Sequence, residues 1–401
     1  MRRVLTCLIL GAMGAGSLCA SGSDWPQFLG PTRDGLSPDT GINKDWKAKP
    51  PKLLWKVPMH DGGYAGPSVA NGQVYIIDHK GDKDIVRAIE LKSGRDAWTF
   101  EYADSPRGNY GFARSTPVAA RGGLYTVSRL GLVHCLYRKT GQKAWSVDLR
   151  KRFGARPPKW QMAWSPLVDG DKLIVIPGGP DATVACLDRK TGKTIWKGGG
   201  GDKPGYATPV KATLDGKEQY VVFTARNVIG VSADNGRRLW NYPWKTSYDV
   251  NASTPRVVGD TVFITSDYGR GGALLRISKG RAALVWQNRT IQSHFSTPIL
   301  WQGHLYGTTT SGWVVCMDWK TGATKWKTRG FEKGGQVGID GTFIVVDGRR
   351  SDIVMFEMVA TGLKELGRMQ GLGGQSWTAP IVADGKLIVR NKTSLACFDL
   401  K

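Results

Sequence analysis

Trp164-Ser-Pro-Leu-Val-Asp-Gly-Asp-Lys-Leu-Ile-Val-Ile176 runs, through a loop holding Gly178 and Gly179, into Thr183-Val-Ala-Cys-Leu-Asp188 and Thr191-Gly-Lys-Thr-Ile-Trp196. Four short stretches, two of them β-branched runs, are separated by turn residues, and no 3.6-residue apolar period intervenes. Asp169-Gly170 reads as a type I′ hairpin turn, because both central residues of that turn need positive φ. Thr191-Gly192 reads as a second turn leading into the strand of Ile195 and Trp196. The stretch is therefore one four-stranded antiparallel unit.

The unit repeats. Glycine followed four residues later by tryptophan recurs at Gly94/Trp98, Gly141/Trp145, Gly192/Trp196, Gly236/Trp240 and Gly322/Trp326, while Trp55 and Trp286 keep the beat without the glycine. A spacing of about 40 to 50 residues marks stacked repeats. Four strands per repeat predict the blades of a β-propeller rather than a sandwich. First strands are marked by Pro67, Pro117, Pro166, Pro209, Pro255, Pro298 and Pro380. A degenerate unit fits between the last two, with Gln336-Val337, Asp340-Gly341, Phe343 to Val346 and Thr361-Gly362. Eight first strands result. The last unit stops at Asp399 before a fourth strand, and Leu53-Leu-Trp55 is a fourth strand without a unit. Pairing the two ends closes the ring and leaves no free edge. The expected fold is all-β, an eight-bladed propeller over 52–401, with 52–57 completing blade eight and 23–51 an extended leader.

Residues 1–22 differ in kind. Arg2 and Arg3 precede an apolar run from Val4 to Leu18 and then small residues, the layout of a secretory signal peptide. The run is too short for a membrane span, and Leu18 argues against lipid anchoring at Cys19. The expected location is extracytoplasmic, periplasmic or secreted. Export permits disulfides, yet Cys135, Cys186, Cys316 and Cys397 occupy equivalent positions in four blades, where Ala88 and Gly230 stand in two others. A small residue at that place suggests a slot for the indole, so free, buried thiols are expected.

The stretch Ala88 to Trp98, with counterparts Cys186 to Trp196 and Cys316 to Trp326, resembles the tryptophan-docking motif of the quinoprotein (pyrroloquinoline quinone, PQQ) β-propellers. The similarity covers about residues 50 to 401, and Asp24-Trp-Pro-Gln-Phe-Leu-Gly-Pro31 resembles the leader of exported members. The resemblance implies either a PQQ-dependent dehydrogenase or a non-enzymatic propeller like the subunit of the outer-membrane β-barrel assembly machinery, and fold alone does not choose. It also implies a structural role at blade interfaces for Trp55, Trp98, Trp145, Trp196, Trp240, Trp286 and Trp326.

Function is then sought between the beats. Loops entering first strands and loops joining second to third strands share one face, the mouth of the channel. The first class carries Tyr64, Tyr110, Arg114, Trp160, Gln161, Trp164, Tyr206, Tyr248, Asn251, His294, Gln336 and Trp377. The second carries Arg129, Arg226, Asp267, Tyr268, Arg270 and Arg349. An aromatic and polar ring around a concavity is the default ligand site; the same residues could instead plug the funnel.

Family enzymes set PQQ between a tryptophan and a vicinal disulfide and bind calcium through several carboxylates. Here no Cys-Cys pair exists, no haem-attachment motif is present, and the mouth acids are scattered. Were the protein an enzyme, Asp249 as base with Arg114 or Arg270 as polariser would be the candidates. The five histidines show no metal-ligand spacing, so neither metal nor cofactor is expected, PQQ with calcium being the alternative.

The formal net charge is +23, of which Arg2 and Arg3 account for only two. Many cations decorate the third-to-fourth-strand turns, among them Lys92, Arg138, Lys143, Arg189, Lys193 and Arg238, and a second cluster spans Arg150 to Lys159. An exported chain seldom meets nucleic acid, which excludes that partner class. Envelope proteins, or anionic glycans and lipids, fit better. The reading favoured is a monomeric, non-enzymatic, exported propeller that binds or scaffolds proteins in the cell envelope, in the manner of outer-membrane protein assembly. A PQQ-dependent alcohol or sugar dehydrogenase and a binder of acidic polysaccharide or lipopolysaccharide remain the alternatives.

Overall fold

The computed structural model describes residues 23–105 and 110–401; the signal-peptide reading of 1–22 and Cys19 fall outside them. Eight antiparallel four-stranded sheets form the ring. Blades one to six span Ser68–Ala103, Val118–Asp148, Leu167–Gly198, Val210–Pro243, Arg256–Asn288 and Ile299–Arg329 in sequence order. Blade seven is the degenerate unit, Gly335–Met369. Blade eight takes three strands from Ile381–Asp399, and its outer strand is Lys52–Pro58, paired antiparallel in the register Lys52↔Asp399, Trp55↔Cys397 and Pro58↔Ser394. The chain ends thus close the ring as the strand count requires.

The type I′ turn read from the sequence at Asp169-Gly170 occurs in other blades but not there. Asn71-Gly72, Asp215-Gly216, Asp340-Gly341 and Asp384-Gly385 all have both residues at positive φ, the type I′ pattern whose twist matches that of the strands. Blade three differs. Asp169 pairs with Lys172 as the last residue of its strand, so the turn is Gly170-Asp171. Only Gly170, at φ 59°, is positive; one positive residue in the first central place is the type II′ pattern, not I′.

The repeated glycine acquires a physical meaning between blades. A Cβ on Gly141 would lie 2.4 Å from the Trp98 ring, on Gly192 2.8 Å from Trp145, on Gly236 2.5 Å from Trp196, and on Gly94 2.9 Å from Trp55. Each indole therefore lies on the next blade's glycine, at a position that also needs positive φ. Trp55 Nε1 donates to Leu91 O at 2.8 Å, Trp98 to Arg138 O at 3.0 Å, Trp145 to Arg189 O at 3.1 Å, Trp286 to Trp319 O at 2.9 Å and Trp326 to Val359 O at 2.9 Å. Blade five has Ala282 where the glycine would stand, and Trp240 turns back to Gln219 Oε1 of its own blade at 2.6 Å. In blades one to four and six the indole faces a small residue of the third strand: Trp98↔Ala88, Trp145↔Cys135, Trp196↔Cys186, Trp240↔Gly230 and Trp326↔Cys316; in blade five Trp286 faces Leu274 instead. The four cysteines are buried and free, and burial pushes their thiols up to about 11 or 12.

The leader does more than precede the ring. Trp25 exchanges backbone bonds with Val69 of blade one, Ala119 N of blade two donates to Pro26 O, and Arg33 donates to Val168 O of blade three. Arg256 of blade five donates to Arg33 O and Asp34 O, at 2.7 and 2.6 Å. Leu36–Ser37 then adds a parallel strand to the inner edge of blade seven, and Asp39 accepts from Gly385 N of blade eight. These contacts lie toward the turn ends of the inner strands. The segment spans the channel there, and Trp25, 2% exposed, sits within it.

Candidate functional site

Closure of one end by the leader makes the channel a blind funnel of about 340 Å³. Its floor is Trp25, Phe28 and Leu29. The wall takes a small residue from one inner strand after another, such as Gly66, Thr116, Thr208, Ala252, Ser296 and Thr378. These belong to the Ser/Thr-x-Pro starts, whose hydroxyls join neighbouring blades: Thr116 N donates to Ser165 Oγ at 2.8 Å, Ser165 N to Thr208 Oγ1 at 3.0 Å and Thr254 N to Thr297 Oγ1 at 3.1 Å. Proline then follows where a strand may begin but not donate.

At the open end aromatic rings form a belt. Trp160 meets Tyr110 at 6.3 Å and Tyr248 at 5.7 Å, both edge-on, and Tyr248 meets Tyr268 at 5.7 Å. Tyr268 contacts His294, which contacts Phe295, which contacts Trp377. Trp377 stacks on Tyr64 at 5.2 Å and 21°. Tyr206 sits inside the belt, accepting from Trp160 N through its hydroxyl. Spacings of this kind are the favoured offset and edge-to-face arrangements.

The sequence-selected mouth residues divide. Tyr64, Tyr110, Arg114, Trp160, Tyr206, His294, Gln336 and Trp377 line the funnel, and Tyr248 stands on its rim. Gln161 instead clamps Arg114 and Arg129, its Oε1 accepting from both at 3.3 and 2.9 Å. Asn251 is fully buried behind the wall, its amide donating to Thr224 O, Ala225 O and Trp244 O. Trp164 is fully buried in the core of blades two to four. Position ahead of a first strand predicts the face, not the direction of the side chain. Phe295 and Lys333 also line the funnel; Phe295 adjoins His294, and Lys333 precedes the glycines of blade seven's first strand.

Electrostatics separate the catalytic candidates. Asp249 pairs with Arg226 at 3.1 Å, not with Arg114 or Arg270. Arg270 lies on the Trp244 face at 3.9 Å. Burial lowers Arg114 to about 10, which keeps it charged at neutral pH. Burial also lowers His294 to about 4, against the raising effect of Asp267 at 3.7 Å, so its ring is neutral. Among the described residues the lining contributes no carboxylate. Calcium takes six to eight oxygens with carboxylates among them, so this donor set does not fit a calcium–PQQ pair.

Behind the mouth lies a polar cluster that no spacing pattern revealed. His79 Nδ1 is 2.8 Å from Asp84 and its Nε2 is 2.8 Å from Gly81 O. A carboxylate and a carbonyl flank the two ring nitrogens, an arrangement that favours donation from both and hence the protonated form of His79. Its ring stacks on Phe112 at 3.6 Å; Arg129 covers the same ring and bonds Asp104 at 2.5 Å. Tyr102 completes Asp84's shell at 2.9 Å. Burial works against the charge, but Asp84, Gly81 O and Asp104 outweigh it and raise the His79 pKa. His79, Asp84 and Asp104 could geometrically hold a metal ion, but each is already bonded within the cluster. It anchors the loop that carries Tyr110 and Arg114.

The family model described as outer membrane protein assembly factor BamB matches residues 82–328. Over 288 residues the chain is 22% identical to the outer membrane protein assembly factor BamB of Yersinia pestis, covering 66% of this chain and 68% of that one. It is 24% identical over 226 residues to the quinoprotein ethanol dehydrogenase of Pseudomonas aeruginosa, covering 52% of this chain. The chain spans only 35% of that enzyme's length. Among solved structures, BamB from Moraxella catarrhalis superimposes with a TM-score of 0.64 at 18% identity, over 87% of this chain and 99% of that one. The quinohemoprotein alcohol dehydrogenase ADHIIG from Pseudomonas putida gives 0.63 at 14% identity, over 94% and 80%. At such identities the superpositions establish the shared fold.

Proposed function

We propose, from the premise that the chain belongs to the outer membrane protein assembly factor BamB family, that it is a non-enzymatic protein-binding module of the cell envelope. The observation that carries this reading is the funnel itself: blind, aromatic at its rim, apolar at its floor and, among the described residues, without carboxylates in its lining. Oxidation through a quinone needs a bound cation and a base beside the substrate. Asp249 is held by Arg226 on an exposed loop, a poor position for a base. Aromatic rings and cations around a concavity are instead what protein recognition sites enrich. The basic surface adds long-range attraction to acidic partners, which salt weakens.

Affinity capture from envelope extracts tests the reading. Barrel-assembly proteins retained with the protein are the expected result. Retention of acidic glycans with no protein partner would replace it with the carbohydrate reading. Stoichiometric uptake of PQQ and calcium, with dye reduction by alcohols or sugars, would replace it with the dehydrogenase.

A further inference from the structure

Three tyrosines on the funnel rim share two costly properties. Tyr110, Tyr248 and Tyr268 are 66%, 59% and 39% exposed, so large apolar rings face water. All three also have left-handed backbone, with φ of 60°, 63° and 57°. Positive φ is uncommon outside glycine, asparagine and aspartate, and such outliers gather at ligand sites. Tyr110 and Tyr248 lie outside any strand hairpin, and Tyr268 lies in a four-residue hairpin loop closed by Ser266 and Gly271, not in a two-residue turn. The lysines of the rim are placed against the same rings: Lys159 Nζ is 4.9 Å from the Tyr248 ring and 5.4 Å from Trp160, and Lys333 Nζ is 5.1 Å from Trp377. Of the nearest acids, Asp249 is paired with Arg226, and Asp267, 3.7 Å from His294, is outnumbered by Lys159, Lys333 and Arg114. The rim is therefore aromatic and positive, and the depth beneath it is apolar.

Resting on the protein-binding reading above, we propose that the funnel receives an acidic, extended segment of a partner protein, which inserts one large apolar side chain toward Trp25, Phe28 and Leu29. The flanking carboxylates of the segment meet Lys159, Lys333 and Arg114. The rim tyrosines pack on its backbone, as rigid aromatic contacts do in protein interfaces. A volume of about 340 Å³ lies at the small end of ligand pockets, enough for a side chain and too little for a folded element.

Calorimetry with the whole protein tests this. The probe is a blocked peptide in which one phenylalanine is flanked by acidic residues. Changing that phenylalanine to alanine is expected to weaken binding by about tenfold or more. Lys159→Gln with Lys333→Gln is expected to weaken it several-fold and flatten its salt dependence, and Tyr248→Ala to weaken it without changing the salt slope. Lys320→Gln, on the opposite face, leaves binding unchanged. Circular dichroism checks that each variant is folded. Equal binding of the alanine peptide, or indifference to the lysines, overturns the proposal. So does an oligouronate that binds at the same lysines while the peptide does not. If envelope partners are still captured by the Tyr248→Ala and lysine variants, the funnel proposal fails while the protein-binding reading stands. If wild type captures none, the broader reading fails first.

Discussion

Gly141→Ala and Gly122→Ala are the same chemical change in the same blade, and the structure predicts different costs. Both glycines have positive φ, 72° and 84°. Placing a Cβ there costs about 1–2 kcal/mol, partly offset by about 0.4–1 kcal/mol from a stiffer unfolded chain. At Gly122 a Cβ meets nothing within 4 Å, so that is the whole effect. At Gly141 it would lie 2.4 Å from Trp98 Cε3 and 2.7 Å from Cδ2. Forcing the indole back adds overpacking of about 1–3 kcal/mol and endangers its 3.0 Å bond to Arg138 O, worth about 1 kcal/mol. Gly141→Ala should therefore exceed Gly122→Ala by about 2–4 kcal/mol in urea unfolding. A cycle with Trp98→Ala isolates the cause, because without the indole the excess should vanish. An excess that survives Trp98→Ala, or no excess in wild type, refutes the reading of the repeated glycine as a seat for the neighbouring tryptophan.

The raised pKa of His79 makes stability pH-dependent. Its folded pKa is raised above the ordinary 6.5, so its contribution is complete below about pH 6.5 and is lost as pH rises through the folded value. The gap in urea midpoint between wild type and His79→Gln should be wider at pH 6 than at pH 8.5; a gap that widens with pH contradicts the double-donor assignment. Asp84, Asp104, Arg129 and Tyr102 of the cluster are present in both proteins, so the difference isolates the histidine. The four described cysteines predict thiol chemistry: a chain beginning at residue 23 should give no reaction with a disulfide reagent when native and four thiols in denaturant, and fewer than four would reveal a bridge.

The fold was readable because a propeller repeats its instructions. Alternating β-branched runs, paired turn residues and a tryptophan beat recur in unit after unit, and even blade seven, which lacks the tryptophan, keeps Asp340-Gly341 and its strands. The leader carries no such period. Its binding is read by backbone carbonyls and by single side chains such as Arg33 and Arg256, so no pattern announces that it crosses the channel. Scattered apolar residues such as Trp25, Phe28, Leu29 and Trp46 are its local sign of burial. The mouth was readable as a face and not as a surface. Asn251 and Trp164 occupy the same loop class as Tyr206 and Trp160, yet their loops turn them inward. The His79 cluster joins strands and loops of blades one and two whose contacts are set by packing.

Strain is distributed unequally between the two faces, and this bears on where function lies. On the turn face, positive φ at Asn71, Asp215, Asp340 and Asp384 is followed by glycine and is dictated by hairpin twist. The fold itself requires that conformation, and asparagine or aspartate adopts it at little cost. On the mouth face Tyr110, Gln161 and Tyr248 adopt the same backbone outside any hairpin, and Tyr268 does so in the four-residue hairpin loop between Ser266 and Gly271. Each forfeits about 1–2 kcal/mol relative to right-handed backbone, and the three tyrosines also leave apolar surface in water. On the proposal that the funnel receives a partner segment, the cost at the three exposed tyrosines beside the rim lysines would be offset where that segment binds.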